Sequence, residues 1–182
     1  RERHVGMRGG VYSYVPIEAQ REPAVGPPIW PQPETAGVGP DTVAIGGRAD
    51  MLAQPRRRVF WFGGGARGAT AQAAELVRRG IAAVTSTNGR AVVAEDSAAS
   101  LGAFNMTPEA QALYDQADLM VVVGSRLRGN ETRNNEMRLG KTLVQIDADA
   151  SQGARNYPVD LFIHGDPADV LDGLRARLPA RL

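Results

Sequence analysis

From residue 58 onward the apolar positions follow two periods, one typical of buried strands and one of amphipathic helices. Residues 59–62 are all apolar, as in a strand buried on both faces, whereas Ala69, Ala73, Leu76 and Val77 fall at helical spacing on one face. Thr107-Pro108 and Asp166-Pro167 each place a capping side chain before a proline, which is a helix start. The pattern therefore predicts strands at Val59–Phe62, Ala82–Ser86, Leu119–Val123, Thr142–Ile146 and Leu161–Ile163, and helices at 69–79, 108–117 and 167–178.

Strands that alternate with helices predict a parallel sheet covered on both faces. The fully apolar run Leu119–Val123 supports this, because strands of parallel sheets are buried on both sides. The predicted fold class is α/β: a doubly wound, mostly parallel sheet of five to six strands with helices on both faces, Rossmann-like or DHS-like. A short additional helix is predicted from Asp41 or Thr42, either of which can cap it, to about Ala53.

The first forty residues have a different pattern. Residues 11–17 form one predicted strand without a neighbour to pair with, and the prolines between residues 21 and 40 exclude helix and sheet interior. We therefore expect residues 1–20 to be the tail of a preceding unit, residues 21–40 to be a proline-rich linker, and residues 41–182 to form the α/β domain. A chain that begins at Arg1 is expected to be a piece of a longer protein.

Composition excludes several classes of function. The 182 residues contain no cysteine, so disulfides, zinc–cysteine clusters and thiol nucleophiles are excluded. Lys and Arg number 21 against 20 Asp and Glu, a balance that provides no field for nucleic acid or an anionic membrane. No apolar segment reaches the roughly 20 residues that a membrane-spanning helix needs, and no signal peptide is visible. A cytoplasmic location is therefore the expectation.

Residues 63–68, GGGARG, match the G-x-G-x-x-G string, in which glycines let backbone N–H groups approach a phosphate. A dinucleotide site of this kind also needs an acidic residue about 20 positions later to hold the ribose hydroxyls. Here residues 87–90 read TNGR, and no acid follows before Glu95. The favoured interpretation is that the glycines serve tight strand-to-helix packing; nucleotide binding is the alternative.

Six short motifs occur in order along the chain: GGGARGA, VTSTNGR, AEDSAASLGAF, ADLMVVVGSRL, VQIDAD and FIHGDPADVL. Together they resemble the central domain of thiamine-diphosphate-dependent enzymes, the family of acetolactate synthase, pyruvate oxidase and benzoylformate decarboxylase, over about residues 41–178. Residues 8–20 resemble the last strand of the pyrimidine-binding domain that precedes it, which accounts for the unpaired strand and the linker. The resemblance implies a homo-oligomeric lyase or transferase acting on 2-oxo acids, with flanking pyrimidine and diphosphate domains as partners.

The resemblance places the thiamine chemistry outside this chain. In the family a glutamate of the first domain activates thiamine diphosphate, and a Gly-Asp-Gly motif of the third domain with a later Asn-Asn holds the diphosphate through magnesium. Gly165-Asp166-Pro167 lacks the second glycine, and Asn134-Asn135 lies upstream of it. Asp166 is therefore interpreted as a helix cap rather than a metal ligand. No catalytic or metal residue is assigned, and the chain alone is expected to be inactive.

In the flavin-binding members the central domain holds FAD, and in others it holds ADP or serves as a spacer. The resemblance places a possible cofactor-binding crevice at the carboxyl ends of the strands. Gly64 and Gly65 N–H groups and Arg126 would meet phosphate oxygens, and Asp147 would meet ribose hydroxyls. The matching positions are Gly63, Gly64, Gly65, Gly124, Arg126, Asp147, Gly165 and Asp166.

Two departures from the flavin binders argue against FAD. Phe104-Asn105 stands where they carry a His-Gly pair, and residues 127–131, LRGNE, replace an acidic, arginine-containing run. An adenine nucleotide such as ADP, or an empty crevice, therefore fits better than FAD, with the empty crevice first. Asp147 also has a simpler interpretation, in which it ends a strand and begins a turn.

Two other functions compete with the central-domain hypothesis. A free-standing adenine-nucleotide-binding module would use the same crevice. A sirtuin-like deacylase has a related fold but needs a pocket histidine and usually zinc cysteines, and His164 follows an apolar run instead.

Overall fold

A computed structural model of the protein describes residues 56–176. The predictions for residues 1–20, the linker 21–40, the helix at 41–53 and the last residues of the helix 167–178 lie outside this part of the chain.

The sheet matches the predicted strands to within one residue at each end. The strands are β1 (Arg58–Phe62), β2 (Ala82–Thr85), β3 (Leu119–Val123), β4 (Thr142–Asp147) and β5 (Leu161–His164). These five parallel strands lie in the order β2-β1-β3-β4-β5, so the described residues give an all-parallel sheet at the lower end of the predicted strand number. An isolated bridge between Ala83 and Ser100 extends the β2 edge without forming a sixth strand.

Three α-helices connect or follow these strands: α1 (Thr70–Arg78), α2 (Pro108–Gln116) and α3 (Pro167–Arg175). The caps of α2 and α3 are as predicted, because Thr107 Oγ1 accepts from the Ala110 N–H and Asp166 Oδ1 from the Ala168 N–H. The helix predicted from residue 69 begins one residue later and is preceded by a 3₁₀ helix, Gly64–Ala69. Within residues 56–176 no helix has the length and apolar character of a membrane span.

Helices cover both faces of the sheet, as the doubly wound prediction requires. On one face α1 and α3 pack over alternate strand residues, including Phe60, Val121 and Ile146. On the other face α2 packs over Trp61 and Val122. Alternate residues of β3 thus face two separate apolar clusters, which is why this central strand is buried at every position.

The chain order places a topological switch point between β1 and β3. From β1 the chain moves outward to β2 and then returns to the other side of β1 to form β3. The segments that leave the carboxyl ends of β1 and β3 therefore diverge, and a crevice opens between them.

Candidate functional site

The turns that follow β1 and β3 touch through glycine. A Cβ on Gly63 would lie 2.4 Å from the Gly124 carbonyl oxygen and 2.5 Å from Ser125 Cβ, and one on Gly65 would lie 2.9 Å from Gly124 Cα. Gly124 has a φ of +60°, a left-handed backbone that favours glycine. Gly63, Gly65 and Gly124, which we call the glycine contact, leave no room for side chains. The packing role expected for the triple glycine is therefore present at two of its three members.

Backbone hydrogen bonds use most of the N–H groups at the glycine contact. Gly63 N–H donates to the Val123 carbonyl at 2.8 Å, and Gly65 N–H donates to the Gly124 carbonyl at 2.9 Å. The donation from Gly65 N–H to a phosphate that the resemblance implied is thus replaced by a bond within the fold. Of the two N–H groups expected to face a phosphate, only that of Gly64 has no acceptor among residues 56–176.

The crevice beside the glycine contact has a volume of about 280 Å³. It contains five of the eight predicted positions. The other three stand apart from its lining: Gly63 is buried beneath the turn, and Gly165 and Asp166 follow β5. Its lining residues are Gly64, Gly65, Asn88, Gly124, Ser125, Arg126, Arg128, Asn130, Glu131 and Asp147.

Arg126 and Asp147 line the same crevice, and a second aspartate, Asp149, lies beside Arg126 outside this lining. Arg126 is exposed and its Nη2 lies 3.8 Å from Asp149 Oδ2. Burial raises the pKa of the Asp147 carboxyl, and the hydrogen bond from the Asp149 N–H and the charge of Arg126 oppose that rise. Hydrogen bonds from Ser151 hold the pKa of Asp149 below its usual value, with a smaller contribution from Arg126. Arg126 is therefore partly neutralised by a carboxylate of its own chain.

Gly165, Asp166 and His164 have structural roles. Gly165 N–H donates to the Asp147 carbonyl at 3.1 Å and so continues the β4–β5 pairing. The Asp166 carboxylate caps α3, and Pro167 is its first residue, which matches the cap interpretation of this segment. His164 is half-buried with Nε2 3.2 Å from the Ala148 carbonyl oxygen, as expected for a hydrogen-bonded histidine at a strand end.

Several crevice residues, above all Glu131, are not identified by the sequence motifs. Glu131 ends a 3₁₀ helix, Gly129–Glu131, and its Oε2 lies 3.3 Å from Ser125 Oγ as a hydrogen-bond acceptor. Asn105, which is buried, donates from Nδ2 to the Glu131 backbone carbonyl at 2.8 Å. The position that replaces the family's flavin-facing pair thus holds the segment that carries Glu131.

The segment after Glu131 is fixed by an unusual turn. Three consecutive residues that are not glycine, Arg133, Asn134 and Asn135, have positive φ values of 49°, 56° and 66°. Thr132 Oγ1 donates to Asn135 Oδ1 at 3.0 Å, and the Arg133 guanidinium donates to the Met106 carbonyl. Asparagine tolerates the left-handed region better than most residues, so Asn134-Asn135 was the available sequence signal for this turn.

The sequence profile of one protein family, described as thiamine pyrophosphate enzyme, central domain, matches residues 46–174. Among curated proteins the chain is 28% identical over 141 residues to the probable 2-ketoarginine decarboxylase AruI of Pseudomonas aeruginosa, covering 77% of this chain and 25% of that protein. It is also 28% identical over 161 residues to the acetolactate synthase large subunit of Parasynechococcus marenigrum, covering 85% of this chain and 25% of that protein. The chain thus spans about a quarter of the length of these relatives.

Solved structures show the same fold. A protein from Mycobacterium smegmatis assigned as a thiamin diphosphate-dependent enzyme superposes with a TM-score of 0.64 at 23% identity, over 91% of this chain and 33% of that one. Benzoylformate decarboxylase from Polynucleobacter necessarius superposes with a TM-score of 0.63 at 17% identity, over 85% of this chain and 31% of that one.

Proposed function

The chain belongs to the family of thiamine pyrophosphate enzyme central domains, and we propose that it serves as this domain within a longer enzyme that acts on 2-oxo acids. The match over residues 46–174 is the observation that carries the proposal. The names of its relatives support the substrate class, because 2-ketoarginine and benzoylformate are both 2-oxo acids. Assembly into a homo-oligomer and a cytoplasmic location belong to the same proposal.

In this proposal the thiamine diphosphate and magnesium of the enzyme are held by the flanking pyrimidine and diphosphate domains. The residues described here do not fit that role, because the Asp166 carboxylate accepts the Ala168 N–H and is followed by proline. When bound elsewhere in the enzyme, thiamine diphosphate supplies the carbanion that attacks a 2-oxo acid carbonyl. The work of this domain is to hold the flanking domains on a rigid α/β framework.

A carbon dioxide release assay distinguishes the activity of the full-length enzyme from that of this chain alone. The full-length protein, supplied with thiamine diphosphate, Mg²⁺ and a series of 2-oxo acids, should consume at least one acid, whereas the 182-residue chain should match a no-protein control. Because acetolactate synthase and the decarboxylases release carbon dioxide in the same family of reactions, one assay covers both. Turnover by the 182-residue chain that survives repurification, or a full-length protein inert on every acid, would contradict the proposal.

A second part of the proposal concerns the crevice, which we propose as a cradle for the adenosine end of a nucleotide and not for the flavin ring. Of the eight predicted positions, Gly64, Gly65, Gly124, Arg126 and Asp147 line the crevice and are its proposed residues, whereas Gly63, Gly165 and Asp166 act in the fold around it. Support comes from the half-buried carboxylate of Asp147, a suitable acceptor for ribose hydroxyls, in the same crevice as Arg126. Of the two cofactors that carry an adenosine end, ADP ranks before FAD because it lacks the flavin ring; the charge of the lining is a separate determinant of whether a phosphate is accepted.

Calorimetric titration with adenosine and with FAD tests the cradle. We expect adenosine to bind and to lose about 1 kcal/mol of binding free energy in Asp147→Asn, because an amide accepts ribose hydroxyls less well than a carboxylate. Asp96→Asn, which changes an exposed carboxylate outside the crevice lining, is the matched control. A yellow purified protein would reverse the preference against FAD, and no heat with adenosine would leave the crevice as a structural gap only.

A further inference from the structure

The crevice contains equal numbers of acidic and basic side chains. Arg126 and Arg128 face it together with Glu131 and Asp147. A cradle for a nucleoside diphosphate needs an excess of positive charge, because the diphosphate brings several negative charges to one place. This lining provides no such excess of positive charge, and the nearby Asp149 carboxylate also neutralises part of the charge of Arg126.

Glu131 lines the crevice beside the glycine contact. Its carboxylate accepts a hydrogen bond from Ser125 Oγ, and Ser125 packs directly against the glycine contact, since a Cβ on Gly63 would lie 2.5 Å from Ser125 Cβ. The Gly64 N–H, which has no acceptor among residues 56–176, belongs to the same lining. A carboxylate therefore shares the phosphate end of the crevice with the groups that would bind the phosphate.

The position of Glu131 is fixed from three sides. Its backbone N–H donates to the Arg128 carbonyl at 2.8 Å, and its own carbonyl accepts from the buried Asn105 side chain at 2.8 Å. The left-handed turn at residues 133–135 closes the segment behind it. None of the ion pairs formed within residues 56–176 includes Glu131, so its charge acts on the crevice without a paired cation.

We propose that Glu131 is a specificity-determining residue that excludes phosphate-bearing ligands from the crevice and restricts it to an uncharged ligand such as a nucleoside. This inference rests on the adenosine cradle proposed above and refines its ligand class. The two carboxylates of the lining offset the attraction that its two arginines would exert on a diphosphate, at close range where solvent screens charges incompletely. Removing the charge of Glu131 while keeping its shape should open the site to ADP.

Titration of the folded chain with ADP and adenosine, before and after Glu131→Gln, tests the proposal. We expect ADP to bind at least roughly tenfold more tightly to Glu131→Gln than to the unchanged chain, because one repulsive charge is removed. Adenosine should bind both equally, within about twofold, since it carries no phosphate. Adding Arg126→Ala to Glu131→Gln should abolish the gain for ADP, which locates the effect in the crevice.

Glu136→Gln is the matched control, because Glu136 is an exposed glutamate five positions along the same loop and outside the crevice lining. It should leave the affinity for ADP unchanged, and thermal melts of all variants check that each is folded. Tight ADP binding by the unchanged chain, or an equal ADP affinity before and after Glu131→Gln, overturns the inference. If adenosine binds but Glu131→Gln does not raise the affinity for ADP, the adenosine cradle is supported and the role of Glu131 is contradicted. If Glu131→Gln raises the affinity for ADP but adenosine does not bind, the role of Glu131 is supported and the adenosine cradle is contradicted.

Discussion

The glycine contact and the crevice rim, which we define as residues 126–131 with Asp147, lie side by side but depend on different parts of the chain. At the glycine contact the backbones of two turns meet, and the absence of side chains decides the geometry. At the rim the side chains decide it, because the backbone there leaves space that charged and amide groups occupy. The same G-x-G-x-x-G string is thus mostly a packing feature, while the ligand chemistry lies in rim residues that the string does not contain.

The largest expected effect is at the centre of the glycine contact. Gly63→Ala should lower the free energy of unfolding by about 3 kcal/mol, because the new methyl group overlaps the Gly124 carbonyl and neither turn can move without breaking strand pairing. Urea unfolding measures the change. Gly68→Ala is the control, since a Cβ there meets nothing within 4 Å, and it should be neutral or slightly stabilising. Equal stabilities for the two variants would show that the contact is not tight.

At the rim the largest effect should come from Asn105. Asn105→Ala removes the donor to the Glu131 carbonyl and should cost about 1 to 2 kcal/mol of unfolding free energy. Amide exchange in residues 128–135 should also become faster, because the rim loses one of its attachments. Asn130→Ala, which changes an exposed rim asparagine, should stay within about 0.5 kcal/mol of the unchanged chain. Equal effects of the two substitutions would contradict a fixing role for Asn105.

The sequence predicted the framework better than the rim for a physical reason. A strand such as Leu119–Val123 is apolar and buried at every position, so its burial can be predicted from residue type alone. The positions of Glu131 and Asn88 depend instead on short 3₁₀ turns and on contacts between loops distant in sequence, such as that between Asn105 and Glu131. Residue spacing does not encode such contacts. Five of the eight positions expected from the sequence therefore line the crevice, but Glu131, which also lines it, was not among them.

Gly64 lies at the boundary between the glycine contact and the crevice. It follows Gly63 in the turn but lines the crevice, and a Cβ there would lie 3.1 Å from Asn88 Cβ, an exposed side chain. Gly64→Ala should therefore cost no more than about 1 kcal/mol of unfolding free energy, the price of a small displacement of Asn88. Urea unfolding beside Gly63→Ala makes the comparison. A loss as large as that of Gly63→Ala would place Gly64 in the glycine contact.

The smallest effect should be the pH dependence of Asp147. Burial raises the pKa of its carboxyl in the folded chain, so folding favours the protonated form. This contribution to stability is complete below the unfolded pKa, near 4 for an aspartate, and is lost as the pH rises through the folded pKa. Asp147→Asn keeps an uncharged oxygen for the Asp149 N–H at every pH, so it should match the unchanged chain at low pH and exceed its stability by up to about 0.5 kcal/mol at neutral pH.

Asp118 provides the control of opposite sign for this prediction. A hydrogen bond from Lys141 holds the pKa of its carboxyl below the usual value, so its contribution to stability is present above the unfolded pKa and is lost as the pH falls through the folded pKa. Asp118→Asn should therefore be less stable than the unchanged chain at neutral pH and should approach it in acid. Urea unfolding of the three proteins between about pH 4 and pH 7 measures both differences. If the two substitutions change stability in the same direction at neutral pH, burial of the charged Asp147 carboxylate does not destabilise the fold. The contrast between a rim that depends on charge and a glycine contact that depends on backbone geometry then fails at Asp147.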